Sequence, residues 1–258
     1  MKRKLLMTLI TTLLAVGIVV SLTACSPSYV NVGGSYRTAT NAEVSEFLSE
    51  VPAEPSGGYK LYYYAESSYK NEYMMVKVDG QLDQADKLVM AVSYEMEVKS
   101  ANGSSSAEMS MYSDGDYIYI KSGDLKTKAA AAIGGSSITG SSSAAGIPPV
   151  PYENIIDLIS SNENCKCSIA QSGTTKKLKV ELNFSDLGVD LGMETTDLPV
   201  TYYIVMENGK LTGIAAKCDG TVEYEGSRIK VKVDIQLGAT SESVKLPSDL
   251  STYTETGI

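Results

Sequence analysis

In "LVMAVSYEMEVK" (88–99) every second residue is apolar. Leu88, Met90, Val92, Tyr94, Met96 and Val98 fall on one face of an extended chain, and Ser93, Glu95, Glu97 and Lys99 on the other. Successive side chains of a strand point to opposite faces, so this period-two pattern predicts an antiparallel strand with one dry and one wet side. The same pattern returns twice. Leu178, Val180, Leu182 and Phe184 alternate with polar residues in 177–184, and Ile229, Val231, Val233, Ile235 and Leu237 do so in 229–237.

Shorter strands are expected at 59–65, 72–79, 107–112, 116–121, 165–170, 200–207, 211–218 and 221–226. The segments "SDGD" (113–116), "ENGK" (207–210) and "CDGT" (218–221) carry the Asp-Gly or Asn-Gly pairs that hairpin turns favour. Asp114 and Asp116 fit a hairpin turn better than a calcium loop, which needs several more oxygen ligands.

The period is helical in two places. Thr40 and Glu43 match a capping box. Val44, Phe47, Leu48 and Val51 follow at i, i+3, i+4 and i+7, and Pro52 ends the run. A second helix is expected near 152–160, with Ile155, Ile156 and Ile159 apolar. Between the two strand series, the small, polar insert at 129–147 ("AAAAIGGSSITGSSSAAG" at 129–146) is too poor in bulk to form a core.

At the start of the chain, Lys2, Arg3 and Lys4 precede an apolar run from Leu5 to Leu22. Thr23, Ala24 and Cys25 follow. Basic start, apolar run, small residues and cysteine in register resemble the lipobox of bacterial lipoproteins. The resemblance implies a signal peptide at 1–24, a diacylglyceryl group with palmitate-type acyl chains on Cys25, and a cell-membrane-anchored extracytoplasmic chain from Cys25 onward. The competing reading is an uncleaved anchor helix with an incidental cysteine. Residues 25–39 read as a flexible tether with a reach of roughly 20 Å, and 40–258 as one domain.

Composition narrows the function classes. The chain has 31 acidic and 22 basic residues, and without Lys2, Arg3 and Lys4 its formal charge is −12. Nucleic acid and anionic headgroups would be repelled. There is no histidine, which excludes Ser-His-Asp and Cys-His catalysis and the commonest transition-metal ligand. No nucleophile and base pair can be named, so the expected protein is not an enzyme and needs neither cofactor nor metal. Cys165 and Cys167 share a strand face, and one of them is expected to bridge to Cys218. A metal reading of "CKC" lacks a second pair.

The order tether, helix, strands, insert, helix, strands, with "MYSDGDYIYIKSGDLKTK" (111–128), "TYYIVMENGKLTGI" (201–214) and a closing strand in "SVKLPSDLSTY" (243–253), resembles the LolA/LprG-like (LppX-like) envelope lipoproteins. The resemblance implies an α+β fold, a single strongly curved antiparallel sheet (a half-barrel) over a few short helices, several members holding a lipid between the two. It transfers no ligand-contact residue.

The width of the sheet points the same way. Ten strands at about 4.8 Å make a sheet roughly 48 Å across, and two helices of roughly 10 Å cover less than half. Curling of the sheet removes part of the deficit, and what is left must be covered by loop, a partner or a ligand; the expected occupant is a lipid or acylated ligand. Its expected walls are Met90, Val92, Met96, Val98, Leu182, Phe184, Ile204, Met206, Val231 and Val233, with Phe47 and Ile156 as lids. The alternative is an envelope interaction or sensor lipoprotein whose sheet is fully packed and whose acidic outer face meets a protein partner.

Overall fold

The computed structural model describes residues 27–52, 57–84, 87–131, 159, 165–187, 198–224 and 226–255. They form a mostly β structure, one open curved sheet of 13 strands. The strands are β1 (Arg37–Thr38), β2 (Gly57–Tyr69), β3 (Glu72–Gln84), β4 (Leu88–Ser100), β5 (Gly103–Asp114), β6 (Tyr117–Ser122) and β7 (Leu125–Ala130). The series continues with β8 (Lys166–Ser172), β9 (Thr175–Asn183), β10 (Pro199–Glu207), β11 (Lys210–Tyr224), β12 (Ser227–Ala239) and β13 (Thr254–Glu255).

The spatial order is β1-β8-β9-β10-β11-β12-β2-β3-β4-β5-β6-β7-β13. Two meanders, β2 to β7 and β8 to β12, are therefore joined where β12 pairs with β2. All pairs are antiparallel except β13 with β7.

Turn chemistry explains the hairpins. Asn208 and Gly209 of "ENGK" both have positive φ, 51° and 72°, as a two-residue turn with the strands' own twist requires. At "SDGD", Asp114 Oδ1 accepts from the backbone N–H of Asp116 and Tyr117, so this carboxylate builds the turn. The third expected turn does not form. Cys218 to Thr221 lie inside β11, paired with Val233 to Lys230 of β12. The two strands expected there are one strand of 15 residues, because β12 supplies an unbroken partner along the whole length.

The capping box forms. Thr40 N–H donates to Glu43 Oε2 at 2.8 Å and Glu43 N–H to Thr40 Oγ1 at 3.3 Å, opening helix α1 (Asn41–Glu50). Val44, Phe47 and Leu48 are buried against one face of the sheet, here the inner face. Burial of each contributes about 1.5–3 kcal/mol. Lys176 of β9 ties Glu50 at the helix end. Of the second expected helix only Ile159 is among the described residues, and it is helical and buried. The fold is thus more strongly β than expected, with one complete α-helix among the described residues rather than a few. None there is long and apolar enough to cross a membrane.

Two segments expected to behave otherwise lie across the opposite, outer face. The tether is seated from Tyr29 onward, Val30 packing with Val205 and Ala215 before Arg37 and Thr38 pair with β8. The closing segment is not a strand until Thr254. It leaves β12, ties Glu242 to Lys60 and Asp249 to Lys126, and lays Tyr253 edge-on against Tyr119 at 5.5 Å. Neither segment has strand periodicity, so only the surface beneath it defines its path.

The cysteine bridge does not form. Cys167 in β8 and Cys218 in β11 are separated by β9 and β10, about 14 Å of sheet at 4.8 Å per strand. A disulfide needs Cα atoms within about 7 Å, and Cys165, Cys167 and Cys218 are all unbridged.

Candidate ligand-binding site

Register aligns one apolar residue from each of eight neighbouring strands into a row across the inner face. The row reads Ala107, Met96, Val76, Ala65, Val233, Cys218, Val200 and Leu182, each opposite the next. Its two ends differ. Val233 to Leu182 are buried in the core, whereas Val76 is half-buried, Met96 is 39 % exposed and Ala107 is exposed. The flanking rows open at the same end, where Tyr94, Val98 and Met109 are half-buried. At this end of the row Met96 is the one large apolar side chain that is exposed among the described residues, flanked by half-buried neighbours.

Where the row passes from open to buried, Ala65 is its small residue. Tyr63 and Ser67 lie on either side of it along β2. Together with Glu66, Met74, Val76 and Val233 these residues line a cavity of about 10 Å³, the size of one water. Tyr63 Oη and Ser67 Oγ are buried without a hydrogen-bond partner. A buried hydroxyl left unpaired costs about 1–3 kcal/mol, so two residues beside the dent carry an unmet polar group. Burial pushes the Tyr63 phenol well above the ordinary tyrosine range and that of Tyr94 up to about 12. Both are neutral hydroxyl donors at any working pH. No group of three or more metal-ligating His, Cys, Asp or Glu side chains occurs among the described residues.

The expected wall residues do share one face, but most are solid core. Phe47, Met90, Val92, Leu182, Phe184, Ile204, Met206, Val231 and Val233 belong to one packed cluster, none more than 6 % exposed. The expected hollow at these positions is filled by the side chains themselves. Met96 and Val98 stand at the open end, while Ile156 and Cys25 lie outside the described residues. The insert begins inside β7, which pairs Ala129 and Ala130 with Ile118 and Tyr117. Its residues from 132 onward lie outside the described set.

Sequence reasoning missed Tyr63, Ala65, Ser67, Val76, Tyr94 and Met109 as a group. The one available signal was Ala65, a small residue on the apolar side of a strand otherwise carrying Tyr59, Leu61 and Tyr63 there.

No model of a known family and no curated protein matches the chain. Two solved structures are similar to it. One is LprF from Mycobacterium bovis, at 13 % identity and a TM-score of 0.41, covering 81 % of this chain and 97 % of that one. The other is a beta-barrel-like protein of a domain of unknown function, DUF1849, from Brucella abortus. It is 7 % identical at a TM-score of 0.18, covering 71 % of this chain and 99 % of that one.

Proposed function

We propose that this chain is a non-enzymatic extracytoplasmic lipoprotein, held on the cell membrane through a diacylglyceryl group on Cys25, whose domain binds a lipid or acylated ligand. The binding surface is the open end of the inner face, over Ala65, Val76, Met96 and Tyr94. The observation that carries this reading is the single row from Ala107 to Leu182, apolar throughout, that runs from solvent into the core. Burying acyl chain on it gains about 0.8 kcal/mol per methylene. The unpartnered hydroxyls of Tyr63 and Ser67 would receive a carbonyl or hydroxyl of the ligand.

One observation favours a second reading. The centre of the inner face is filled by its own side chains, as in an interaction or sensor lipoprotein whose acidic outer face meets a protein partner. Mass spectrometry of an organic extract of the purified full-length protein separates the two. Co-purifying lipid, lost in Met96→Asp, supports the first. An extract empty of lipid beyond the Cys25 anchor rejects it.

A further inference from the structure

The N-terminal segment crosses the outer face in a seat built for it. Tyr29 and Val30 both donate their backbone N–H to Gln236 Oε1, at 3.0 and 3.3 Å. Gln236 is itself aimed by a bond from Nε2 to Asp234 Oδ1 at 3.1 Å, and Asp234 is ion-paired with Lys217 at 3.2 Å. Tyr29 Oη donates to Asp79 at 2.8 Å, and its ring meets Tyr62 edge-on. Two glycines pave the crossing. A Cβ at Gly213 would lie 2.7 Å from Val30 Cγ1, and one at Gly238 would overlap the Tyr29 carbonyl. Farther along, Lys177 Nζ donates to the Gly33 carbonyl at 2.6 Å, and Tyr36 packs on Tyr203.

Cys25 precedes Tyr29 by four residues. Four residues span at most about 14 Å even when fully extended, and Tyr29 is fixed on the sheet. We infer that the strap holds the outer face, at β12, β2 and β3, against the bilayer, so that the lipid surface is the partner of this face. The inference rests on the proposed lipid anchor at Cys25.

The orientation comes from the strap, because a formal charge of −12 gives anionic headgroups nothing to attract. Tyr64 and Lys77, cross-strand partners on the outer face, are residue types that settle at headgroup level. The row that carries the candidate site lies on the other face of the sheet and looks away from the membrane. Its ligand therefore arrives from the aqueous side.

The chain has no tryptophan, so a single introduced one is a unique reporter. Ser93 is exposed on the outer face, opposite Asp79 in β3, and Ser105 is exposed on the inner face of β5. Full-length lipidated Ser93→Trp and Ser105→Trp are placed in phosphatidylcholine vesicles carrying a headgroup nitroxide. Ser93→Trp is expected to lose most of its emission and Ser105→Trp to keep it. Unseating the strap with Val30→Asp, or independently with Gly238→Val, is expected to erase the difference in a protein that still melts cooperatively. Equal quenching of the two reporters in protein that floats with the vesicles overturns the orientation and leaves the Cys25 anchor standing. Protein that does not float overturns the anchor, and the orientation with it.

Discussion

Gly213 of β11 stands directly opposite Gly238 of β12, and the N-terminal strap crosses the sheet over this pair. The two glycines differ in what they meet. At Gly238 the obstacle is the Tyr29 backbone, which cannot swing aside, whereas at Gly213 it is the methyl end of Val30. Gly→Ala within a strand would otherwise gain about 0.4–1 kcal/mol through the unfolded chain. At Gly238 the overlap wins, and Gly238→Ala is expected to lose about 1–3 kcal/mol. Gly213→Ala should cost less. Denaturant titration of the two variants checks the order, and a neutral Gly238→Ala would contradict the seat.

Met96 and Val231 separate surface from core. Met96→Asp places charge at an open position and is expected to keep a cooperative melt while abolishing retention of an apolar ligand. Val231 is 1 % exposed, so Val231→Phe overpacks the core at a cost of about 1–3 kcal/mol. Thermal unfolding of both variants, beside a lipid extract of each, tests this division. A Val231→Phe protein of unchanged stability would show that the face is hollow there.

Tyr202 Oη is buried without a hydrogen-bond partner. Its hydroxyl therefore costs folding about 1–3 kcal/mol. Tyr202→Phe removes that cost at nearly constant shape, and its denaturation midpoint is expected to equal or exceed that of the parent. A clear loss of stability would mean that the hydroxyl has a partner.

The three cysteines of the domain should titrate as thiols. In Cys25→Ala protein unfolded without reductant, a thiol reagent is expected to count three per chain. In the folded protein Cys218 should stay silent, because it is buried and burial pushes its thiol well above the ordinary range. A count of one would restore the bridge that the strand order forbids.

Glu43 has a pKa lowered to about 2, first by its hydrogen bond from Arg37 and then by those from Thr40. A carboxyl depressed in the folded state contributes stability above its unfolded value of about 4.3, and that contribution is lost as pH falls toward 2. Acid unfolding of Glu43→Gln is expected to be flatter than the parent's between those limits. Identical pH profiles would remove the capping box from the stability of α1.

Much of the sheet is readable along the chain. Alternation is local, so Met90, Val92, Leu182, Ile204, Val231 and Val233 could be assigned to one face before their strands had neighbours. The Thr40 and Glu43 pair marks the start of α1 for the same reason. "CDGT" shows the limit. Asp-Gly there has the composition of a turn, but a long partner strand outweighs a two-residue preference. The straps were illegible because what fixes Tyr29 is Gln236, 207 residues away. What fixes Glu242 is Lys60, 182 residues away.

By itself, then, the sequence determined which side chains share a face, where α1 begins, the acidic charge, the absence of histidine and the lipobox-like Cys25. The tertiary structure alone decided which part of the apolar face is solid and which is open. It also decided that the tether is seated and that the cysteines stand apart. The physical reason is range. Side-chain alternation and capping act over a few residues, whereas burial depends on strand order and on which segments cross the sheet, both set by contacts between distant parts of the chain.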